Sequence, residues 1–169
     1  MDAMEAILTR RSIRRYKSNP VSRDQIKTLI EAGMSAPNVR NLQPWYFAVI
    51  EKRELLDSVI SFHKYAGMLK EAHCAILVCG NSKSESTYEY IIQNCSAATE
   101  NILLAAHVMS LGTCWLGICP RKPRMDGIRE LLHIPEHIIP VSLIAIGYPA
   151  EAKTRENRYD EKKVIYNTW

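Results

Sequence analysis

The 169 residues carry a net charge of +4, with 47% hydrophobic and 24% charged side chains, a balance that suits one globular domain burying roughly 70% of its unfolded surface. Only eight prolines and seven glycines, with no repeat or low-complexity run, exclude a disordered or fibrous chain. No stretch approaches the roughly eighteen apolar residues of a membrane span, and the acidic start Met1-Asp2-Ala3-Met4-Glu5 does not suit a signal peptide, so a cytoplasmic location is expected.

In chain order, residues 3–10 read as a short helix. Ser22 with Gln25 three positions on forms a capping box for a second helix ending near Gly33. Pro37 and Pro44 bracket a loop, and Trp45–Ile50 is aromatic and β-branched over the length of a buried strand. A helix over 53–61, a short helix over 65–70 and the apolar strand Cys74–Cys79 follow. Ile91, Cys95, Ala98, Ile102, Ala105 and Met109 recur at steps of four and three, marking a helix from about 86 to 110. Beyond Asn101 that helix is apolar on its other sides too, through Leu103, Leu104, Ala106 and Val108, so a single core has trouble burying it and a subunit contact gains weight. Gly112 reads as its left-handed cap, Thr113–Ile118 as a third strand, 125–133 as a helix stopped before Pro135, and Pro140–Gly147 as a fourth strand. Strands alternating with helices predict an α/β (α+β) layer structure. The tail turns apolar at Val164, Ile165, Tyr166 and Trp169, and its tip is expected to dock on something.

Arg10, Arg11, Arg14, Arg15 and Lys17 fall within eight residues. A helix C-terminus favours positive charge, but one or two cations satisfy that preference. No aromatic interleaving or repeated basic face points to nucleic acid. The cluster, with Ser12 inside it, suits a phosphate. Cys74, Cys79, Cys95, Cys114 and Cys119 are odd in number, lie in apolar runs and lack C-x-x-C spacing, so they read as reduced thiols rather than disulfides or metal ligands. The five histidines read as ordinary surface or core residues, because Pro135 breaks the only helical pair, His133 and His137.

Four motifs in order, Arg10-Arg11-Ser12-Ile13-Arg14, Ala36-Pro37-Asn38 through Asn41-Leu42-Gln43-Pro44-Trp45, Leu111 through Gly117, and Ile146 through Glu151, make the chain resemble the flavin-dependent nitroreductase family over its whole length. The resemblance implies a mixed sheet flanked by helices in an intertwined homodimer, one domain over 1–169 with residues 151–169 as an arm on the partner. It implies two FMN sites at the contact and no catalytic side chain, with hydride passing from NADH or NADPH through FMN to nitroaromatic, quinone or similar small-molecule acceptors. Alternatives are an FMN-storing module or another flavin chemistry, such as dehalogenation, on the same fold.

By the same resemblance, Arg10 and Ser12 hold the phosphate, Arg11 adds a donor, and Arg14 lies nearer the ring. Pro37, Asn38, Val39 and Asn41, with Gln43 beside them, edge the ring from the opposite subunit; many relatives carry Ser where Asn38 stands. Leu116 and Gly117 pass beneath it, Gly117 allowing close backbone approach, while Trp115 is read as core. Arg158 fits a phosphate-binding arginine of the arm, with Arg155 and Lys163 as second candidates. The loops 61–72 and 119–126, where acceptor choice resides, are short and uninformative.

Overall fold

A computed structural model describes all residues, Met1–Trp169. The elements are α1 (Ala3–Thr9), β1 (Tyr16–Lys17), α2 (Arg23–Met34), β2 (Trp45–Ile50), α3 (Arg53–Phe62), β3 (Cys74–Asn81), α4 (Tyr88–Val108), β4 (Gly112–Gly117), α5 (Lys122–Leu132) and β5 (Ile138–Pro149). Short 3-10 turns lie at Val39–Asn41, Gly67–Lys70 and Glu161–Lys163.

The sheet runs β4, β5, β3, β2, with β1 continuing the β4 side along the end of β5. Every ladder is antiparallel, and the parallel part of the expected mixed sheet is confined to one bridge between Ser12 and Thr113. Cys74, Ile76 and Val78 of β3 join Ile144 and Ile146 of β5 under α2 and α4. Ala75, Leu77 and Cys79 join Leu143 and Ala145 under α3 and α5. Helices on both faces explain why β3 and β5 read as unbroken apolar runs rather than alternating ones. The cysteines are all free, and burial pushes the thiols of Cys74, Cys79 and Cys95 up to about 12.

Local chemistry sets the boundaries. Ser22 Oγ accepts from the Gln25 amide at 3.2 Å and Gln25 Oε1 accepts from the Ser22 amide at 2.9 Å, the expected capping box. The left-handed residue after α4 is Ser110 (φ 59°), not Gly112, which already belongs to β4. Gly112 has another purpose: a Cβ there would lie 2.8 Å from Ile13 Cγ2, so its bareness admits the N-terminal segment against β4. Helix α5 starts at Lys122, three residues before the expected Met125, because Pro123 sits in the first turn, where its missing N–H costs nothing.

On α4, Ile91, Cys95, Ala98 and Ile102 are fully buried, while Leu104 and Ala105 are half-buried and Val108 is exposed. Its own chain thus covers only part of this helix. The tail finds no surface on its own chain either: Tyr166 is 78% exposed and Trp169 fully so. No helix is long and apolar enough to cross a membrane.

Candidate functional site

Beyond α1 the chain runs extended along the free edge of β4. The Ile13 amide donates to the Thr113 carbonyl at 2.8 Å. Two carboxylates tie down the next residues: Glu151 accepts from the Arg14 amide at 2.5 Å, and Glu71 from the Tyr16 amide at 3.1 Å. Those backbone bonds are the leading reason that both carboxyls titrate below their ordinary range. A depressed carboxylate contributes stability that is present above its unfolded pKa and lost as pH falls through the folded one. Acidification below the usual carboxylate range is therefore expected to free residues 14–16 before the core melts. Hydrogen exchange at the Arg14 and Tyr16 amides checks this, and Glu151→Gln should remove the pH step at Arg14.

The arginines divide the work. Arg10 Nε lies 3.3 Å from the Glu100 carboxylate, beside a cavity of about 290 Å³ that Arg11, His107, Gly112 and Lys153 also line. Arg11 is committed to the carbonyls of Leu8, Arg10, Thr154 and Glu156, so its guanidinium fastens the start of the tail rather than facing open space. Ser12 gives its carbonyl to Lys153 Nζ at 2.8 Å. The guanidinium of Arg14 makes no ion pair within the chain, lies beside the Cys114 thiol and lines a second cavity of about 390 Å³.

That second cavity follows the β4 edge. Ile118 donates to Val141 of β5 at 3.2 Å, and in an antiparallel pair such bonds alternate, so Thr113, Trp115 and Gly117 turn their backbone groups outward. Thr113 confirms the phase by accepting from Ile13. Past it the edge is open, and the amides of Trp115 and Gly117 have no acceptor in the chain. The Gly117 carbonyl accepts from Arg124 at 2.7 Å and from His63 Nε2 at 3.2 Å. A carbonyl only accepts, so His63 carries its proton on Nε2. Burial, then the Arg124 charge, keeps its pKa below the ordinary value and the ring neutral. Its Nδ1 is buried without a partner.

The side chains of β4 reverse one expectation. Trp115 is 36% exposed, while Leu116 is buried under α3 and α5. Strand alternation sends Cys114 and Leu116 to the same face, so Leu116 reaches the edge only through its backbone.

The loop before β2 is ordered by its own polar groups. Asn38 Oδ1 accepts from the Gln43 amide at 2.8 Å, Asn41 Oδ1 from Gln43 Nε2 at 3.1 Å, and the Val39 amide donates to Asn94 at 3.2 Å. Arg40, Asn41 and Gln43 hold left-handed backbones at φ 52°, 55° and 46°. Arg40 reaches the buried Glu85 carboxylate at 3.5 Å.

One chain thus brings Arg10, Ser12, Arg14, Leu116 and Gly117 along a single edge. It leaves Pro37, Asn38, Val39, Asn41 and Gln43 beside β2, three strand spacings or about 14 Å away across the sheet. Arg158 is exposed and paired with Glu156 at 2.8 Å, and Lys163 lies 3.7 Å from Asp160. Lys153 is the tail cation that reaches the N-terminal motif. Lys153, His63 and Arg124 escape sequence reading because each is defined only by a carbonyl outside its own element.

The model of the nitroreductase family matches residues 7–62 and 58–148. A protein of Methanothermobacter thermautotrophicus, provisionally named NADH dehydrogenase/NAD(P)H nitroreductase, is 42% identical over 169 residues, 100% of this chain and 88% of that protein. A similarly named crystal structure from Parabacteroides distasonis superposes with a TM-score of 0.95 at 40% identity, covering 98% of each chain. A nitroreductase-like structure from Desulfovibrio desulfuricans, solved in complex with FMN, superposes with a TM-score of 0.86 at 29% identity over 100% of this chain and 99% of that one.

Proposed function

The chain belongs to the nitroreductase family, and from that membership we propose that it is a cytoplasmic FMN-dependent oxidoreductase that takes hydride from NADH or NADPH and passes it to nitroaromatic, quinone or similar electron-poor acceptors. One observation carries the reading: an unpaired guanidinium, Arg14, and two outward amides, Trp115 and Gly117, converge on an open strand edge that Gly117 leaves without a side chain. That donor set fits the acceptor-rich edge of an isoalloxazine, and Arg10, Ser12 and Lys153 some five residues back along β4 fit its phosphate. When bound, FMN supplies a two-electron carrier that accepts and returns hydride at one ring nitrogen.

The chain's own residues supply position and charge. Arg14 would place a cation where the reduced ring gathers negative charge. His63 and Arg124 grip the Gly117 carbonyl from two sides, which fixes the Gly117–Ile118 peptide that closes the open stretch of the edge. The half-site formed by Pro37–Gln43 would arrive from a second copy, whose β2 edge faces this β4 edge across the contact. The half-covered α4, the exposed apolar face of α1 and the apolar tail tip would be closed in that dimer, and the arm 151–169 would lie over the partner.

The purified protein is expected to be yellow, with a flavin band that bleaches when NADH or NADPH is added and returns with an electron-poor acceptor. Colourless protein that refuses FMN would overturn the reading. Flavin bleaching slower than about one turnover per minute, far below ordinary enzyme rates, would make the chain a flavin store instead. Arg10→Ala should weaken FMN binding by about 1.5–3 kcal/mol, the scale of a hydrogen bond to a charged group. Equilibrium titration of the apoprotein measures it, with Glu100→Gln as the control that leaves Arg10 in place; unchanged affinity in Arg10→Ala removes that residue from the site.

A further inference from the structure

The two loops flanking the Gly117 edge, around Lys64 and around Arg121, converge on a cavity of about 550 Å³ that the flavin reading leaves unused. Lys64, Arg121 and Arg124 line it together with Tyr65, and no carboxylate does. The acids nearest in sequence are already engaged: Asp57 with Arg53 at 3.3 Å and Asp126 with Lys122 at 2.8 Å. Lys64 and Arg121 are exposed, and neither makes an ion pair.

Lys64 Nζ stands 4.9 Å from the centre of the Tyr65 ring, and the Arg124 guanidinium carbon 5.8 Å from the same ring. The ring therefore gathers cations that otherwise repel. Arg121 and Arg124 add a like-charge pair three residues apart at the start of α5, an arrangement that disfavours a helix in isolation. The Gly117 carbonyl accounts for Arg124, but no ion pair requires Lys64 and Arg121 beside it. A concavity lined by one sign of charge does focus its field on an oppositely charged ligand.

The cavity is also coupled to the strand edge. Arg124 and Tyr65 line both cavities, and Arg124 donates to the Gly117 carbonyl at 2.7 Å. The cavity therefore opens beside the edge where the flavin ring is placed. We infer that the Lys64–Arg121–Arg124 cavity is the subsite for the phosphate groups of the dinucleotide hydride donor. This rests on the reductase reading above. The planar forks of two arginines and the point charge of a lysine match a group with several charged oxygens, and the volume exceeds what a single carboxylate fills.

The test uses the FMN-loaded protein and its Lys64→Gln/Arg121→Gln variant, which alters exposed side chains only. Flavin bleaching is followed by stopped flow with NADPH, with NADH, and with 1-benzyl-1,4-dihydronicotinamide, a neutral donor lacking phosphate. The variant should require at least roughly tenfold more dinucleotide for half-maximal bleaching at low salt, lose most of the salt dependence, and keep the rate with the neutral donor. A loss with both dinucleotides assigns the cavity to the diphosphate bridge; a loss with NADPH alone assigns it to the ribose phosphate. Unchanged half-saturation with both overturns the inference while leaving the reductase reading intact. Calorimetric titration with pyrophosphate and with adenosine 2′-phosphate decides the subsite apart from any turnover: at least one should bind the parent protein and lose affinity in the variant, and binding of neither overturns it. If no donor bleaches the parent flavin, the reductase reading fails instead.

Discussion

Two variants that each fail to hold flavin are expected to recover it when made together. Arg10→Glu/Arg14→Glu damages the half-site on the β4 edge, and Asn41→Tyr damages the half-site beside β2. Within one chain these lie on opposite margins of the sheet, about 14 Å apart. If two copies build each site, a heterodimer of the variants contains one site with both lesions and one with none. Random pairing then restores FMN to about one quarter of all sites, since half the dimers are mixed and half of their sites are whole. Flavin absorbance per chain after co-expression measures it. No recovery, or a folded flavin-loaded species of 19.3 kDa in sedimentation, would remove the shared site.

Gly80→Ala is expected to cost about 1–3 kcal/mol of stability although it adds one methyl group. Gly80 lies in β3 beneath α4, and a Cβ there would stand 2.1 Å from Ile91 Cγ2, with Cys95 Sγ at 3.3 Å. Ile91 and Cys95 are fully buried, so neither has free volume to move into. The strand must shift or the helix must lift. Ile91→Ala alone leaves a cavity and should cost about 2–5 kcal/mol. It also removes the colliding carbon, so the double variant should be less damaged than the sum of the two, with a coupling above about 0.5 kcal/mol in denaturant melts. Additive losses would mean that α4 is not held this closely to β3.

Much of the fold is legible because its signals are local. The Ser22–Gln25 pair starts α2, and the continuous apolar run of β3 announces helices on both faces. Other features depend on contacts that no window of sequence contains. Strand β1 is two residues long and exists through its pairing with Tyr148 and Pro149. The left-handed backbones at Arg40, Asn41 and Gln43 are set by side-chain bonds within the loop and by Glu85, not by glycine. Gly112 looks like a helix cap in sequence, yet its bareness serves Ile13.

The candidate site divides the same way. Arg10, Ser12 and Arg14 sit in a short basic motif whose composition suits a phosphate, whereas the placing of Gly117 beneath a ring comes from the family resemblance. Trp115 and Leu116 exchange places relative to expectation because the phase of β4 is fixed by Cys114 and Leu116 entering the α3/α5 core. The loops 61–72 and 119–126 carry no motif, and only their convergence shows that Lys64, Arg121 and Arg124 share one cavity.

The grip of Arg11 on the carbonyls of Thr154 and Glu156 sets the length of the free leash. Thirteen residues remain from Glu156 to Trp169, and fully extended they span up to about 45 Å. A folded chain of this size is about 40 Å across. The leash is long enough to cross much of one face of a neighbour while its root stays clipped to Arg11, just beyond its own first helix. In the proposed dimer, two chains embraced in this manner would trade places only by unwrapping both leashes, so folded dimers stirred together would keep their original mates for hours, and mixed dimers would form only when both chains fold in one pot.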